Sequence, residues 1–226
     1  LPNNMSIVKP PSYCPSCNHR LTPLELVPIF SYLFQKGKCK KCRIKIPIFY
    51  PIFELLTGIL FMISFLVFGM TLELLIALTF SSLLLIVIIG DIKYMIIPDE
   101  LIIFGVVALS MQRFAAGSDI LKIVIDGAVP FLILLLIKLF GDFLFKKESL
   151  GGGDIKLMLL FGIVLGWELA LFSIFLASFI ALPISLIIMK QSKTNIIPFG
   201  PFLSVSALFL YYTNFDISWV IDFVIY

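Results

Sequence analysis

Charged side chains are scarce in this sequence. Asp, Glu, Lys and Arg make up 14% of the 226 residues, whereas soluble domains carry about 25%. Hydrophobic residues reach 60%, and the mean hydropathy is +1.10. A soluble chain of this length could not bury so much apolar surface in one core, so lipid must cover part of it. The composition therefore excludes an ordinary soluble globular protein.

Acidic residues are almost missing from the first 48 positions, where Glu25 is the one carboxylate. Eight basic residues oppose it, namely Lys9, Arg20, Lys36, Lys38, Lys40, Lys41, Arg43 and Lys45. The same segment holds all four cysteines and no long apolar run. We therefore predict a basic head over residues 1–48 and a transmembrane region over residues 49–226. An initial Met and a signal-peptide pattern are also missing, so we expect either a fragment with further sequence upstream of Leu1 or a processed protein.

The transmembrane region contains seven apolar segments, and the predicted fold is an all-α polytopic membrane protein. The segments lie near residues 49–70, 74–90, 96–115, 121–140, 155–167, 169–189 and 198–213. Each is predicted to be helical, because an open strand edge is not viable in lipid. The segment 155–167 is short for a crossing, which needs about 20 residues. We expect it to begin inside the protein or to tilt.

Positive charge predicts the orientation. If residues 1–48 are cytoplasmic and the segments alternate, the connections 91–99, 138–156 and 190–197 also face the cytoplasm. Fifteen of the 17 Lys and Arg residues then lie on that side, and Arg113 and Lys122 lie near the other. Because cytoplasmic loops of membrane proteins are enriched in Lys and Arg, we predict a multi-pass protein of the plasma membrane with this orientation.

The cysteines form two C-x2-C pairs, Cys14/Cys17 and Cys39/Cys42, with 21 residues between the pairs. Two such turns can supply four thiolates in a tetrahedron, which is the arrangement that structural Zn²⁺ prefers. A reducing cytoplasm disfavours disulfides, although free thiols or two disulfides remain alternatives. Zinc ribbons often bind nucleic acid, but anionic lipid explains the neighbouring basic residues more simply. We therefore expect zinc and membrane lipids, and no nucleic acid.

Two carboxylates occupy the cytoplasmic ends of predicted spans. Asp91 follows one apolar run, and Asp154 follows the glycines Gly151, Gly152 and Gly153. Ionisable groups at such depth are costly and are candidates for function. Two carboxylates held close together share a proton, so one can activate water while the other polarises a scissile carbonyl. The three glycines remove side-chain bulk, which would let an extended substrate backbone approach.

The residues alone also allow a structural interpretation of these aspartates. Asp154 could be the N-cap of a helix that begins at Ile155, and Asp91 an interfacial charge. A third carboxylate, Asp99, follows Pro98 and is expected to cap the next helix rather than to take part in catalysis.

Several short motifs, taken in order, resemble the type IV prepilin peptidase family. Gly151-Gly152-Gly153-Asp154 fits the G-x-G-D signature of intramembrane aspartyl peptidases, and Asp91 with Pro98-Asp99 resembles the first catalytic segment of the family. The remaining family-like motifs are Pro10-Pro11-Ser12, the two cysteine pairs, Pro28-Ile29-Phe30-Ser31-Tyr32-Leu33, Gly37-Lys38-Cys39, the run from Tyr50 to Gly58, and Ile197-Pro198-Phe199-Gly200-Pro201-Phe202. The likeness covers nearly the whole chain.

The resemblance implies an aspartyl endopeptidase with Asp91 and Asp154 as its catalytic pair. Its substrates would be prepilins or pseudopilins, cut after Gly at the end of a basic leader. It implies an eighth, N-terminal helix that this sequence does not contain. It also implies N-methylation of the new amino terminus with S-adenosylmethionine. Glu54 is the candidate for that activity, since a carboxylate near the membrane entry could hold a cation or an amine. A helix-start charge that faces water is the alternative for Glu54.

Two other classes of protein compete with the peptidase. A transporter could use Asp91 and Asp154 as a proton relay, although a relay would distribute acids through the membrane depth. A non-enzymatic membrane anchor with a zinc-ribbon head would also fit the composition. The ordered motifs favour the peptidase over both.

Overall fold

The computed structural model describes residues 12–146, 150–191 and 197–215, without the side chains of 189–191. Eight α-helices lie in these ranges: α1 (Phe30–Phe34), α2 (Phe49–Phe68), α3 (Leu72–Tyr94), α4 (Asp99–Ala115), α5 (Ile120–Phe145), α6 (Gly152–Leu165), α7 (Trp167–Gln191) and α8 (Gly200–Tyr212). No strand longer than an isolated bridge occurs in the described residues. The predicted all-α class is confirmed.

Helices α2 to α8 lie at the seven places where the apolar segments predict them. Among the described residues, α2, α3, α5 and the Trp167–Ile188 part of α7 are long and apolar enough to cross a membrane. Helices α4, α6 and α8 have 17, 14 and 13 residues, so a count of seven spans stays a prediction. The protein is an integral membrane protein with at least these four candidate spans.

The chain divides into two compact units, Leu1–Leu60 and Phe61–Tyr226. The predicted domain boundary between residues 48 and 49 stays a prediction. In the described part of the head, Cys14 and Cys39 are the buried residues, so this part has almost no apolar core. Local polar contacts order it instead. The backbone N–H and the hydroxyl of Thr22 donate to Glu25, and these bonds lower the pKa of the Glu25 carboxyl.

The second unit is built around α6, which packs against α4, α5, α7 and α8. Four residues of α6 are fully buried: Leu157, Met158, Leu160 and Phe161. Helix α3 contributes the buried side chains of Ile76, Phe80 and Leu84 to the same core. This helix also packs against α4 and α8. By contrast, α5 and α7 present mainly exposed apolar faces, as expected for helices in contact with lipid.

One contact between α5 and α6 is backbone against backbone. A methyl group added at Gly162 of α6 would lie 1.9 Å from the carbonyl oxygen of Asp126 and 2.8 Å from Cα of Gly127. Only a residue without Cβ allows this approach. The contact fixes the separation of the two helices at this level.

Candidate active site and cysteine cluster

Asp91 lies in the last turn of α3, four residues before the helix ends at its C-cap, Met95. Met95 takes the left-handed conformation (φ 53°), and its N–H donates to the carbonyl of Asp91. The predicted span ended at residue 90, whereas the helix continues to Tyr94. Asp91 is therefore held on a helix rather than on a connecting loop, and it is 8% exposed.

The partner of Asp91 comes from the other end of the chain. The N–H of Gly200, the first residue of α8, donates to Oδ2 of Asp91 at 3.0 Å. That N–H has no acceptor within its own helix because it lies at the N-terminus, so the carboxylate satisfies it. The N-terminal end of α8 also carries partial positive charge, which favours a nearby carboxylate.

Asp154 lies in the first turn of α6, whose N-cap is Gly151. The helix thus begins two residues earlier than Asp154, and the N-cap interpretation of Asp154 is wrong. Its carboxylate folds back over the start of the helix, since a methyl group added at Gly151 would lie 2.9 Å from Oδ2. The carboxylates of Asp91 and Asp154 are close enough for their charges to interact.

Ile97 connects the elements that carry the two aspartates. A methyl group added at Gly153 would lie 3.0 Å from Cδ1 of Ile97, and one added at Gly200 would lie 3.5 Å from the same atom. The end of α3, the start of α6 and the start of α8 therefore meet at one place. The arrangement brings two carboxylates to helix ends in the same region, and carboxyl groups are suited to acid–base catalysis.

The neighbouring charged residues are engaged elsewhere. Lys156 forms an ion pair with Asp99, so this lysine holds Asp99 at the start of α4. Pro98 is the N-cap of α4, and Asp99 is its first residue. The expectation that Asp99 caps α4 is therefore wrong, because the cap lies one residue earlier and Asp99 belongs to the first turn.

We expect Gly200→Ala to impair this site while the protein still folds. The added methyl group would lie 2.7 Å from Oδ2 of Asp91 and 3.3 Å from Cγ, so the carboxylate must shift. A displacement near 1 Å can cost about 10²-fold in rate. Cleavage of a leader-bearing peptide in detergent would measure the loss. Gly58→Ala is the control, because an added methyl group there meets nothing within 4 Å. If Gly200→Ala cleaves the peptide at the wild-type rate, the Gly200 amide is not part of the active site.

The four cysteines come together in the head. Their Sγ atoms all lie within 4.8 Å of one another, and none is in a disulfide. The Sγ atoms of Cys14 and Cys42 are 3.8 Å apart, and those of Cys17 and Cys39 are 4.0 Å apart. A tetrahedral Zn²⁺ with bonds of about 2.3 Å requires sulfur atoms roughly 3.8 Å apart. A disulfide needs about 2.05 Å.

The two cysteine pairs have the same backbone design. The N–H of Cys14 donates to the carbonyl of residue 19, and the N–H of Cys39 donates to the carbonyl of residue 44. Asn18 and Arg43, each four residues after the first cysteine, have positive φ values of 52° and 62°. These two matching turns bring the four thiols together, as ligands of one metal ion would be. A bound ion could stabilise this part of the head, which has almost no apolar core.

Glu54 lies in α2, where it accepts a hydrogen bond from the backbone N–H of Ile29 at 2.7 Å. Ile29 has a φ of 63°, which is strained for a β-branched residue. The carboxylate therefore holds a strained turn in the head. Glu54 also lines a cavity of about 570 Å³ within the first unit, together with Tyr13, Tyr32 and Tyr50. Sequence patterns did not reveal this cavity, because its walls come from segments distant in the chain.

Comparison with known proteins identifies the class to which this site belongs. Residues 1–68 match the bacterial peptidase A24 N-terminal domain, and residues 78–186 match the type IV leader peptidase family. Asp91 and Asp154 fall in the second match, while Glu54 and the cysteines fall in the first. The chain belongs to the type IV leader peptidase family, and the resemblance drawn from its motifs is confirmed.

Several relatives are named prepilin leader peptidase/N-methyltransferase. The protein from Bacillus subtilis is 37% identical over 93% of this chain and 85% of its own length. That from Myxococcus xanthus is 36% identical over 79% of this chain and 53% of its own length. That from Legionella pneumophila is 30% identical over 97% of this chain and 78% of its own length. No solved structure gives a significant match.

Proposed function

We propose that this chain is a membrane-embedded aspartyl endopeptidase that removes the basic leader of prepilins or pseudopilins, cutting after Gly at the cytoplasmic membrane face. The family and the names of the relatives support a leader peptidase that also transfers methyl groups. The observation that carries the assignment of residues is the meeting of the helix ends that bear Asp91, Asp154 and Gly200, which converge around Ile97. Cleavage of a leader-bearing peptide by the purified chain in proteoliposomes tests it.

The two carboxylates would hydrolyse the peptide bond without a covalent intermediate. One carboxylate takes a proton from water, and the resulting hydroxide adds to the carbonyl carbon. The other, protonated, gives its proton to the carbonyl oxygen. When the resulting gem-diol breaks down, the first carboxyl gives its proton to the leaving nitrogen and the C–N bond cleaves. The second carboxylate takes a proton back from a hydroxyl of the intermediate, which becomes the carbonyl of the new carboxyl end. Both groups return to their starting states, so the pair is ready for another substrate.

The position of the pair suits a leader peptide. A basic leader stays in the cytoplasm, and the apolar segment that follows it enters the bilayer. The scissile bond then lies at the boundary between water and lipid. Gly151, Gly152 and Gly153 precede or begin α6 beside Asp154, and an added methyl group at Gly152 meets nothing within 4 Å. This open space would let the substrate backbone approach.

The charge distribution supports an orientation with the active site facing the cytoplasm. The head also presents exposed apolar side chains, with Leu24 82% and Phe34 85% exposed. Basic residues surround them, and Lys38, Lys40 and Arg43 share a groove with both. Contact with anionic lipid would cover the apolar groups and neutralise the charge. A basic leader would be repelled by the same groove, so lipid is the better occupant.

Zinc is the metal that we assign to the head. The donor set of four thiols fits Zn²⁺, and the ion would replace the apolar core that the described part of the head does not have. Cys14, Cys17, Cys39 and Cys42 would be its ligands, in a zinc-ribbon-like fold.

Metal analysis of the purified protein should find about one Zn²⁺ per chain. We expect Cys14→Ser and Cys39→Ser each to lose it, because structural sites of this kind need all four ligands. Ser16→Ala, between the same cysteines, should retain the metal. Metal-free wild-type protein with intact disulfides would contradict the assignment.

The cavity beside Glu54 is our candidate for the methyl donor. Its volume of about 570 Å³ lies in the range of small-molecule sites. Tyrosine rings can stack on an adenine and attract a sulfonium cation, and the carboxylate of Glu54 adds negative charge. S-adenosylmethionine, when bound, would supply the methyl group. Glu54 would attract either the donor or the new amino terminus.

We expect Glu54→Gln to separate the two activities. The amide oxygen can still accept the Ile29 N–H, so the variant removes the charge and keeps the turn. Hydrogen bonds to charged groups contribute about 1.5–3 kcal/mol, which corresponds to a fall of about 10- to 100-fold in methylation rate. Mass spectrometry should show cleaved product without the +14 Da of a methyl group.

The control for this experiment is Glu100→Gln, which changes an exposed carboxylate in the second unit. It should leave both activities unchanged. If the Glu54→Gln protein methylates its product fully, the methyl-transfer site is not in this cavity. If active wild-type enzyme supplied with S-adenosylmethionine gives an unmethylated product, the protein is a peptidase without methyltransferase activity.

A further inference from the structure

A second charged site lies at the end of the transmembrane unit remote from the aspartate pair. It is a cavity of about 440 Å³ between the end of α4, the start of α5, the end of α6 and the start of α7. Val164, near the end of α6, lines it, whereas Asp154 lies in the first turn of the same helix. Ten residues of helix separate them by about 15 Å. The cavity is therefore distinct from the active site.

Four charged side chains line this cavity: Arg113, Lys122, Asp126 and Glu168. Arg113 is already bound, because it forms an ion pair with Glu73 and donates to the carbonyl of Val164. Within the described part of the chain, the other three have no ion-pair partner within 4.0 Å. The cavity thus offers one ammonium group and two carboxylates that residues 12–146, 150–191 and 197–215 do not pair.

Asp126 is the least ordinary of these residues. It lies half-buried in the second turn of α5, one of the four helices long and apolar enough to cross a membrane. A carboxylate there is costly unless something pairs with it. Its backbone is fixed, because the carbonyl of Asp126 lies against Gly162. The residue that carries this carboxylate is therefore anchored against α6 through its backbone.

Exposed apolar side chains also occur in the first two turns of α5, the helix that contributes Lys122 and Asp126 to the cavity. Leu121 and Val124 are 71% and 58% exposed. Trp167 at the start of α7 also lines the cavity and is 40% exposed, as is common for tryptophan at a membrane interface. A ligand with a charged end in the cavity and an apolar part along α5 would match both surfaces.

We propose that this cavity binds the headgroup of a phospholipid that carries both a phosphate and a primary ammonium group, as phosphatidylethanolamine does. Lys122, with the remaining donors of Arg113, binds the phosphate. Asp126 and Glu168 accept hydrogen bonds from the ammonium, and the acyl chains lie along Leu121 and Val124. Under the proposed orientation, this is the leaflet opposite the active site. It also accounts for Arg113 and Lys122, the two basic residues outside the cytoplasmic excess.

Native mass spectrometry of the full chain in mild detergent tests this proposal. Phosphatidylethanolamine, phosphatidylglycerol and phosphatidylcholine with the same acyl chains are added at equal concentration. We expect phosphatidylethanolamine to be retained several-fold more than the other two. Phosphatidylglycerol lacks the cation, and the methylated amine of phosphatidylcholine cannot donate hydrogen bonds. Equal retention of the three lipids by the wild-type protein would overturn the proposal, whether or not any variant folds.

The variants Asp126→Asn and Lys122→Gln should each reduce the retention of phosphatidylethanolamine several-fold. Lys138→Gln, a matched loss of charge near the other end of α5, should not. Unchanged retention in the Asp126→Asn/Lys122→Gln double variant would reject the site. Free phosphoethanolamine should not raise the Tm of the protein as the lipid does; an equal rise would assign the cavity to a soluble zwitterion and overturn the lipid proposal.

Discussion

Asp91→Asn and Asp154→Asn should each abolish cleavage of a leader-bearing substrate. Asparagine keeps the size of the side chain and can still accept the Gly200 N–H, but an amide cannot exchange the proton that hydrolysis requires. Loss of general acid–base catalysis lowers the rate by about 10²- to 10⁴-fold. Because the two groups act as one unit, the double variant should be no worse than either single variant. Initial rates in detergent, with membrane insertion verified, measure the effect.

Asp99→Asn is the matched control for this prediction. Asp99 is a carboxylate two residues after Ile97, which contacts the same helix ends, but it pairs with Lys156 at the start of α4. Removing its charge costs a surface ion pair, worth at most about 1 kcal/mol, so appreciable activity should remain. If Asp99→Asn is inactive while Asp91→Asn cuts normally, the catalytic pair is Asp99 with Asp154.

The second large effect concerns stability rather than chemistry. Gly162→Ala should destabilise the transmembrane unit by about 3 kcal/mol, at the upper end for an overpacked core. The new methyl group would lie 1.9 Å from a backbone oxygen of α5, and a backbone cannot move aside as a flexible side chain does. The two helices must separate, with loss of the packing of α6. At 2–4 °C per kcal/mol, the Tm should fall by about 6 to 12 °C.

Gly152→Ala in the same helix is the control, since an added methyl group there meets nothing within 4 Å. Its Tm should change by no more than about 2 °C, as for other surface substitutions. Gly127→Ala should fall between the two, because its new methyl group would lie 3.1 Å from a side-chain atom of Ile163. Equal Tm values for the Gly162→Ala and Gly152→Ala proteins would contradict the close approach of α5 and α6.

Much of the helical order could be predicted from the sequence, because hydrophobicity is a local property. Seven apolar segments correspond to α2–α8, with ends that differ by a few residues. The largest difference is at α5, which was predicted to end at residue 140 and continues to Phe145. Membrane crossing is harder to predict, since α4, α6 and α8 are apolar but short. Length and hydropathy alone cannot distinguish a buried short helix from a tilted span.

The candidate site was predicted only in part, for a similar reason. Asp91 and Asp154 stand out because charge is rare in apolar surroundings, and the motifs name them. Their assignment as a catalytic pair stays a prediction. The Gly200 amide carries no such signal. Every residue except proline has a backbone N–H, and only the fold directs this one at Asp91. The same holds for the partners of Arg113, which lie 40 and 51 positions away in the chain.

The bond between Gly200 and Asp91 joins residues 109 positions apart, and this separation has a consequence for biosynthesis. Ribosomes add roughly 5–20 residues per second, so Asp91 enters the membrane about 5 to 20 seconds before its partner is made. Under the proposed function, the nascent chain has an unfinished catalytic centre during that interval. A translation product that stops before residue 200 would lack the Gly200 amide beside Asp91, so we expect it to be inactive as a peptidase. The cell would then be spared an uncontrolled protease fragment.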